Sequence, residues 1–300
     1  MHEHHSPTSP LLKTPKARYL EATLRALEPW HRLTSPHWSG LEHIPDERPL
    51  LFVGNHSLYA VFDAPVMCVG LYEKLGIVMR PLVDRVHFQM PLWRNFIQNF
   101  GFVNGTRAHC AALMETQQAI LVFPGGSREA SKRRGEQNTL VWGNRMGFAR
   151  MAMAHQCTIV PFAALGMDDA YRILLDGSDL LRTPVLGSVL RRAGVRSDLL
   201  PPIVFGLGPL PYPNRLYFHF GAPIRPDTFG DDPQDDDACW ALRKAVEAAV
   251  DDGLAAMLQV RASDPSAALR RRLRHILKAR YDRPASFFTD LAIDPALNRS

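Results

Sequence analysis

The chain has 300 residues, 46% of them hydrophobic and 22% charged, a globular composition that excludes a disordered polymer. It is long enough for one large α/β domain with appended helices, or for two small domains. A formal charge of +5 favours anionic partners (membrane lipid, a phosphorylated cofactor or nucleic acid) without choosing among them.

No apolar run reaches the ~18 residues that cross a bilayer. Cys68, Cys110, Cys157 and Cys239 form no C-x-x-C pair, so they read as isolated reduced thiols of a cytosolic protein. Met1-His-Glu-His-His-Ser-Pro has no apolar core for a secretory signal. With Pro7, Pro10 and Pro15, residues 1–15 are expected to form a disordered tail. From Lys16 to Leu33 the pattern is an amphipathic helix, with Leu20, Leu24, Leu27 and Trp30 on one face. That face packs on the domain or lies on a membrane.

A loop containing Pro45 leads to Leu50–Val53, an apolar run suited to a buried strand and broken at Gly54. Asn55 and His56 follow at once. Open α/β sheets place ligand chemistry where strands end, which makes His56 a candidate general base. A structural or solvent-exposed histidine is the alternative. Asp63 stands seven positions on and could orient the imidazole and support its charged form. On a continuous helix that spacing separates the pair by about 10 Å along the axis, so the chain must loop back for them to meet.

Ala64–Gly70 reads as a buried helix and Ile77–Met79 as a strand. Residues 85–100 suggest one helix with a broad aromatic face from Phe88, Trp93, Phe96, Ile97 and Phe100. The turn-flanked segment Gly101–Arg107 ends in a cation; Cys110–Gln118 is expected to be helical and Ala119–Phe123 a buried strand. This strand stops at Pro124-Gly125-Gly126-Ser127-Arg128-Glu129. Adjacent glycines let backbone amides approach a ligand closely, and with Arg128 they would form an anion or oxyanion pocket; a plain turn is the alternative. Arg107 and Arg128 would hold phosphate, or else pair with surface carboxylates.

After the basic run Lys132-Arg-Arg134, Gly147–Ala154 has helical character and Thr158–Phe162 is another strand. Alternating strands and helices from 50 to 166 predict an α/β fold with a mainly parallel central sheet covered by helices on both faces. Residues 198–214 are apolar but too rich in Pro and Gly for a regular helix. Leu216–Phe220 reads as a last strand. Six aspartates between Asp227 and Asp237 mark a solvated linker or a helix start, and a helix is expected over Ala238–Val260. From Ala267 to Tyr281, Leu269, Leu273, Ile276 and Leu277 alternate with Arg270, Arg271, Arg272, Arg274, Lys278 and Arg280. That is a basic amphipathic helix of the kind found at anionic interfaces, or a solvated surface helix. The predicted organisation is a tail over 1–15, a body over 16–260 and a basic helix and tail over 261–300, with amphipathic helices at both ends.

In order, Asn55-His56…Asp63, Gly101-Phe-Val…Arg107, Phe123-Pro-Gly-Gly-Ser-Arg-Glu129 and Ile159-Val-Pro161 resemble the four blocks of the glycerolipid (lysophospholipid) acyltransferase superfamily, over about residues 40–225. The extended third block, with Glu129-Ala130, Arg145-Met-Gly-Phe-Ala-Arg-Met-Ala152 and Val160-Pro161…Gly166, is similar to the diacylglycerol and monoacylglycerol acyltransferase branch and its bacterial relatives. Phospholipid-making members usually place four residues between His and Asp, against six here, and carry Glu where Gly125 stands. That departure moves the expected acceptor from glycerol-3-phosphate or lysophosphatidate to a neutral lipid alcohol.

The resemblance implies an acyltransferase domain over 16–260 that moves a fatty acyl group from acyl-CoA, or acyl carrier protein, to a lipid hydroxyl. His56 would be the general base and Asp63 its orienting carboxylate. Amides near Gly125 and Gly126 would stabilise the oxyanion, and Arg107 and Arg128 would bind phosphate. Asn55, Pro124, Ser127 and Glu129 complete the expected substrate-binding set. No metal is expected, and no cofactor apart from the acyl-carrying co-substrate. The expected partners are the bilayer, acyl-CoA and the lipid alcohol, not nucleic acid. The expected location is peripheral, on the cytoplasmic face of a membrane. A lysophosphatidate-type phospholipid acyltransferase, a non-catalytic lipid-binding protein of the same fold, a thioesterase, and a nucleic-acid-binding protein using the Arg-rich C-terminus are the alternatives. No Gly-x-Ser-x-Gly elbow points to a serine nucleophile.

Overall fold

Leu50, Leu51, Phe52 and Val53 are all fully buried, because the strand they form runs through the middle of a seven-stranded sheet. The computed structural model describes residues 15, 17–59, 62–89, 91–192, 200–208 and 210–281. Apart from Pro15, the expected N-terminal tail lies outside the described residues. The strands are β1 (His37–Ser39), β2 (Leu50–Gly54), β3 (Met79–Val83), β4 (Val103–Asn104), β5 (Ala119–Val122), β6 (Thr158–Leu165), β7 (Arg172–Leu175), β8 (Ile203–Phe205) and β9 (Tyr217–Phe220). The helices are α1 (Ala17–Thr34), α2 (Asp63–Leu75), α3 (Pro91–Asn99), α4 (Arg107–Glu115), α5 (Gly126–Ala130), α6 (Gly147–Ala154), α7 (Gly177–Arg182), α8 (Leu186–Arg192), α9 (Asp236–Ser263) and α10 (Leu269–Tyr281).

The sheet order is β1-β9-β6-β2-β5-β3-β4. Every pairing is parallel except that of β6 with β9. Successive strand residues face opposite sides, which explains why β2 reads as a continuous apolar run. Leu50 and Phe52 pack with Val66, Met67 and Leu71 of α2. Leu51 and Val53 pack on the other side with Leu113 of α4, Ala149 and Met153 of α6, and Leu242, Val246 and Val250 of α9. The expected parallel sheet between two helical layers is therefore present.

Some elements depart from expectation. The helix expected over 85–100 divides into a 3₁₀ turn at Arg85–Phe88 and α3, because the Asp84 carboxylate caps the Val86 amide and Pro91 opens a second helix. The side chains of Trp93 and Phe96 lie outside the described residues. β1 has no apolar run to announce it and is held by tertiary contacts, with Trp38 against Phe218 at 4.8 Å between ring centroids. α9 continues to Ser263, so the boundary placed at 260 falls inside it. Its first turn is capped by Asp235, which makes the acidic stretch a helix start.

α1 lies against α2 and α10, and its Trp30 ring sits 5.1 Å from that of Phe62, so its apolar face packs on the domain. Of the arginines on α10, Arg272 is buried. It donates to the carbonyls of Leu33 (2.8 Å), Ser266 (2.8 Å), Ala267 (2.6 Å) and Pro213, tying together α1, α10 and the chain before β9. Arg272→Ala is expected to cost about 2–4 kcal/mol, read as a lowered thermal midpoint, since it leaves several buried carbonyls unpaired. An unchanged midpoint would remove the clamp from the account.

Candidate active site

β2, β5 and β6 are parallel neighbours, so their C-terminal ends open on one edge of the sheet. This is where α/β sheets collect chemical groups. Three strand exits meet there: residues 55–59 after β2, 123–129 after β5 and 166–170 after β6.

His56 is partly exposed, and its ring lies 4.6 Å from that of Phe123, the residue that ends the β5 run. Its Nδ1 lies 2.7 Å from the Ser57 carbonyl oxygen. A carbonyl can only accept, so Nδ1 carries the proton and Nε2 keeps its lone pair. Burial pushes the imidazole pKa down to about 4, and the Lys132 cation and His87 act in the same direction; the Ser57 carbonyl and Asp168 oppose them. At neutral pH the ring is uncharged and basic at Nε2.

Asp63 is buried on the first turn of α2 and accepts the Ala64 amide at 2.8 Å. Burial raises its pKa, against the Ser57 hydroxyl and the Ala64 amide. It makes no hydrogen bond with the His56 ring, whose Nδ1 faces the Ser57 carbonyl while Asp63 accepts the Ala64 amide. The imidazole is oriented by the adjacent backbone instead.

The acid placed next to the histidine loop is Asp168, from the exit of β6. Its Oδ1 accepts the Leu58 amide at 2.7 Å, and its Oδ2 accepts Lys132 Nζ at 2.6 Å and the Asn138 amide at 2.8 Å. Both side chains of the ion pair are almost fully buried, at 1% and 3% exposure. The Asp168 oxygens are thus satisfied from the histidine loop and from the segment after α5, which ties both to the exit of β6. Nothing local in the sequence singles out either residue: Lys132 lies in a basic run, and Asp168 is the first of two aspartates that follow Gly166-Met167. The available signal was position, an acid just past the end of a buried parallel strand.

The glycine turn is built around a second buried acid. Gly125 immediately precedes α5, and a Cβ there would fall 2.2 Å from Glu129 Oε2, so only glycine leaves room for that side chain. Gly126 has φ +50°, a left-handed conformation that also favours glycine. Arg145 braces the turn by donating to the Pro124 carbonyl at 3.0 Å and to that of Gly125. Glu129 is fully buried: Oε1 accepts the Val141 amide at 3.3 Å, while Oε2 has no hydrogen bond.

Burial pushes the Glu129 pKa up to about 7, aided by Asp168 and opposed by Lys132 and the His56 and Val141 amides. Because the folded state prefers the neutral acid, this group's contribution to stability is in place below about pH 4.5 and is lost as pH rises through about 7. Glu129→Gln should flatten that decline in thermal melts across the range. Identical slopes in variant and parent would refute it.

The remaining expected site residues are divided by the structure. Asn55 is buried and exchanges two 2.8 Å hydrogen bonds with the backbone of Ala164, so its amide ties β2 to β6 instead of facing a ligand. Arg128 is held by Glu136 in a two-pronged pair at 2.9 and 2.5 Å. Pro124 is buried, and Ser127 is exposed with only a 3.5 Å contact to Asp84. Arg107 is exposed at the start of α4 and makes no hydrogen bond or ion pair among the described residues. It stands after β4, three strand spacings or about 14 Å across the edge from β2.

A cavity of about 570 Å³ opens beside Asp168, lined also by Arg134, Asp169, Tyr171, Arg172 and Leu174. Tyr59 joins its wall to the histidine loop, with its ring 6.1 Å from that of Tyr171 and its hydroxyl donating to the Pro202 carbonyl. No thiol competes as a nucleophile here. All four cysteines are free, and burial pushes Cys68 to about 12 and Cys110 to about 11.

Residues 35–165 match the family model described as Acyltransferase. The chain is 30% identical over 256 residues to phytyl ester synthase 1, chloroplastic, of Arabidopsis thaliana, covering 79% of this chain and 36% of that protein. It is 31% identical over 118 residues to diacylglycerol O-acyltransferase 2B of Umbelopsis ramanniana, covering 38% of this chain and 34% of that one. It thus spans about a third of the length of these curated relatives. Among solved structures it is similar to the 1-acyl-sn-glycerophosphate acyltransferase PlsC of Thermotoga maritima, with a TM-score of 0.43 and 12% identity over 77% of this chain and 81% of that one. With its matched domain carrying the histidine, the glycine turn and the parallel strands that bring them together, the chain belongs to the glycerolipid acyltransferase superfamily.

Proposed function

We propose that the protein transfers a fatty acyl group from a thioester of CoA or acyl carrier protein to the hydroxyl of an uncharged lipid alcohol at a membrane surface. His56 is the general base. The observation that carries this reading is its tautomer: Nδ1 is occupied by the Ser57 carbonyl, which leaves Nε2 unprotonated beside the glycine turn.

The acceptor hydroxyl gives its proton to Nε2 as its oxygen attacks the thioester carbonyl. The Gly126 amide is already given to the Phe123 carbonyl at 3.0 Å, so the tetrahedral oxyanion lies against the other first-turn amides of α5, those of Ser127 and Arg128. Collapse breaks the carbon–sulfur bond, and the departing thiolate takes the proton back from the imidazolium. Asp168 favours that imidazolium, and its partner Lys132 opposes it. Arg107, exposed and without an ion pair among the described residues, suits a phosphate of the donor.

Two features favour an uncharged acceptor. Arg128 is already committed to Glu136, and Glu129 fills the space that a side chain at 125 would need. Relatives named for phytyl esters and for diacylglycerol acylation agree with this choice. No helix among the described residues is long and apolar enough to cross a membrane, which suits a peripheral enzyme; we place it on the cytoplasmic face.

The test is incubation of purified protein with labelled palmitoyl-CoA and a panel of acceptors: a long-chain alcohol, diacylglycerol and lysophosphatidate. Ester should form on the uncharged alcohols. Free fatty acid alone would make the protein a thioesterase, and ester on lysophosphatidate alone would make it a phospholipid-forming enzyme.

A further inference from the structure

Between β6 and β9 the chain makes a long excursion whose neck is closed by the Tyr212 amide donating to the Ala170 carbonyl at 2.8 Å. It carries β7, α7, α8 and β8. β7 and β8 form an antiparallel ribbon that belongs to no other sheet, with Arg172 opposite Phe205 and Ile173 opposite Val204; a bulge between Ile173 and Leu175 then shifts the register and sets Leu175, on the outer face, opposite Ile203. In such a ribbon opposed residues share a face and alternate residues of one strand point the same way. Ile173 is buried against the body. The outer face therefore presents Ile203 and Phe205, and Leu207 and Leu210 continue it past β8, at 47%, 55%, 56% and 57% exposure. Val185, Leu186 and Val189 form a second apolar edge on the same excursion, exposed by 80%, 49% and 58%.

An apolar surface of this extent is expected to be covered in use. The charges around it indicate by what. Arg172, Arg182 and Arg192 are exposed. The two aspartates of the described excursion are consumed internally: Asp176 caps α7, and Asp179 completes the capping box and pairs with Arg134 at 3.1 Å. What remains outward is apolar and cationic, complementary to lipid headgroups with acyl chains behind them. The excursion also borders the candidate site, since the 570 Å³ cavity has Asp168 and Leu174 on its walls.

We propose that the outer face of the β7–β8 ribbon, with the Val185–Val189 edge of the excursion, docks on an anionic bilayer and turns the cavity mouth toward the lipid. The inference rests on a lipid acceptor but locates the contact independently of the chemistry.

The test is co-sedimentation of the full chain with vesicles of mixed phosphatidylglycerol and phosphatidylcholine, and with phosphatidylcholine alone. Phe205→Asp combined with Leu207→Asp should weaken binding to the mixed vesicles by at least about tenfold, as loss of buried apolar area and added negative charge act together. Far-UV circular dichroism checks the fold; should the double variant fail it, Leu207→Asp alone gives the same reading in the same direction. His56→Ala should bind vesicles like the parent, so loss of catalysis and loss of docking are scored separately. Vesicle binding unchanged by the substitutions overturns the proposal. So does a parent dimer that the substitutions split without changing vesicle binding, because the face would then be a self-association surface.

Discussion

His56→Ala should lower ester formation by about 10²–10⁴-fold, the usual contribution of a positioned general base, with donor binding little changed. The expectation follows from the Nε2 lone pair that the Ser57 carbonyl enforces. It also has a pH signature. With the imidazole at about 4, the base form persists through the neutral range, so the acid limb of kcat/KM should fall near pH 4 instead of near 6.5. The same depression affects stability. The unfolded chain binds the proton first, so this group's contribution is present above about 6.5 and is lost as pH falls toward about 4. His56→Ala should therefore be less acid-sensitive in thermal melts while losing activity. Turnover equal to the parent's would end the assignment of His56 as base.

Breaking the Lys132–Asp168 pair should be the most destabilising single change near the site. Removing one partner of a buried, hydrogen-bonded pair costs about 3–5 kcal/mol, because the other charge stays buried alone. Lys132→Met leaves Asp168 uncompensated, and Asp168→Ala also releases the Leu58 and Asn138 amides. A structural role would stop at a lowered melting point. A positioning role adds a second readout, because Lys132 lowers the His56 pKa and Asp168 raises it. Measured on folded protein, Lys132→Met should move the acid limb of kcat/KM upward and Asp168→Asn should move it downward. Shifts of the same sign, or none, would leave the pair with a structural role only.

The Gly125–Glu129 contact bears on acceptor choice. A larger residue at 125 and a Glu129 buried in its present pose exclude one another, since the Cβ would meet both the carboxyl oxygen at 2.2 Å and Glu129 Cβ at 2.4 Å. The acid here lies under the turn.

Much of this protein was legible from residue order alone. Apolar runs at 50–53 and 119–123, each ended by a turn, and a third that starts at 158 and breaks at Gly166 require strands buried on both faces, and intervening helical patterns require crossovers; together they dictate a parallel sheet. The position of His56 at a strand end and the glycine pair at 125–126 followed from the same periodicity. What sequence could not decide was pairing across the edge. Asp63 is close to His56 in the chain, yet the start of α2 gives it the Ala64 amide, while Asp168, more than a hundred positions away, holds the histidine loop because β6 lies beside β2. Asn55 and Arg128 likewise carry the right chemistry for a ligand, but neighbours brought by the fold, Ala164 and Glu136, take their hydrogen bonds first. Local propensity fixes where a side chain leaves the backbone, and only the packed sheet determines which partner reaches it.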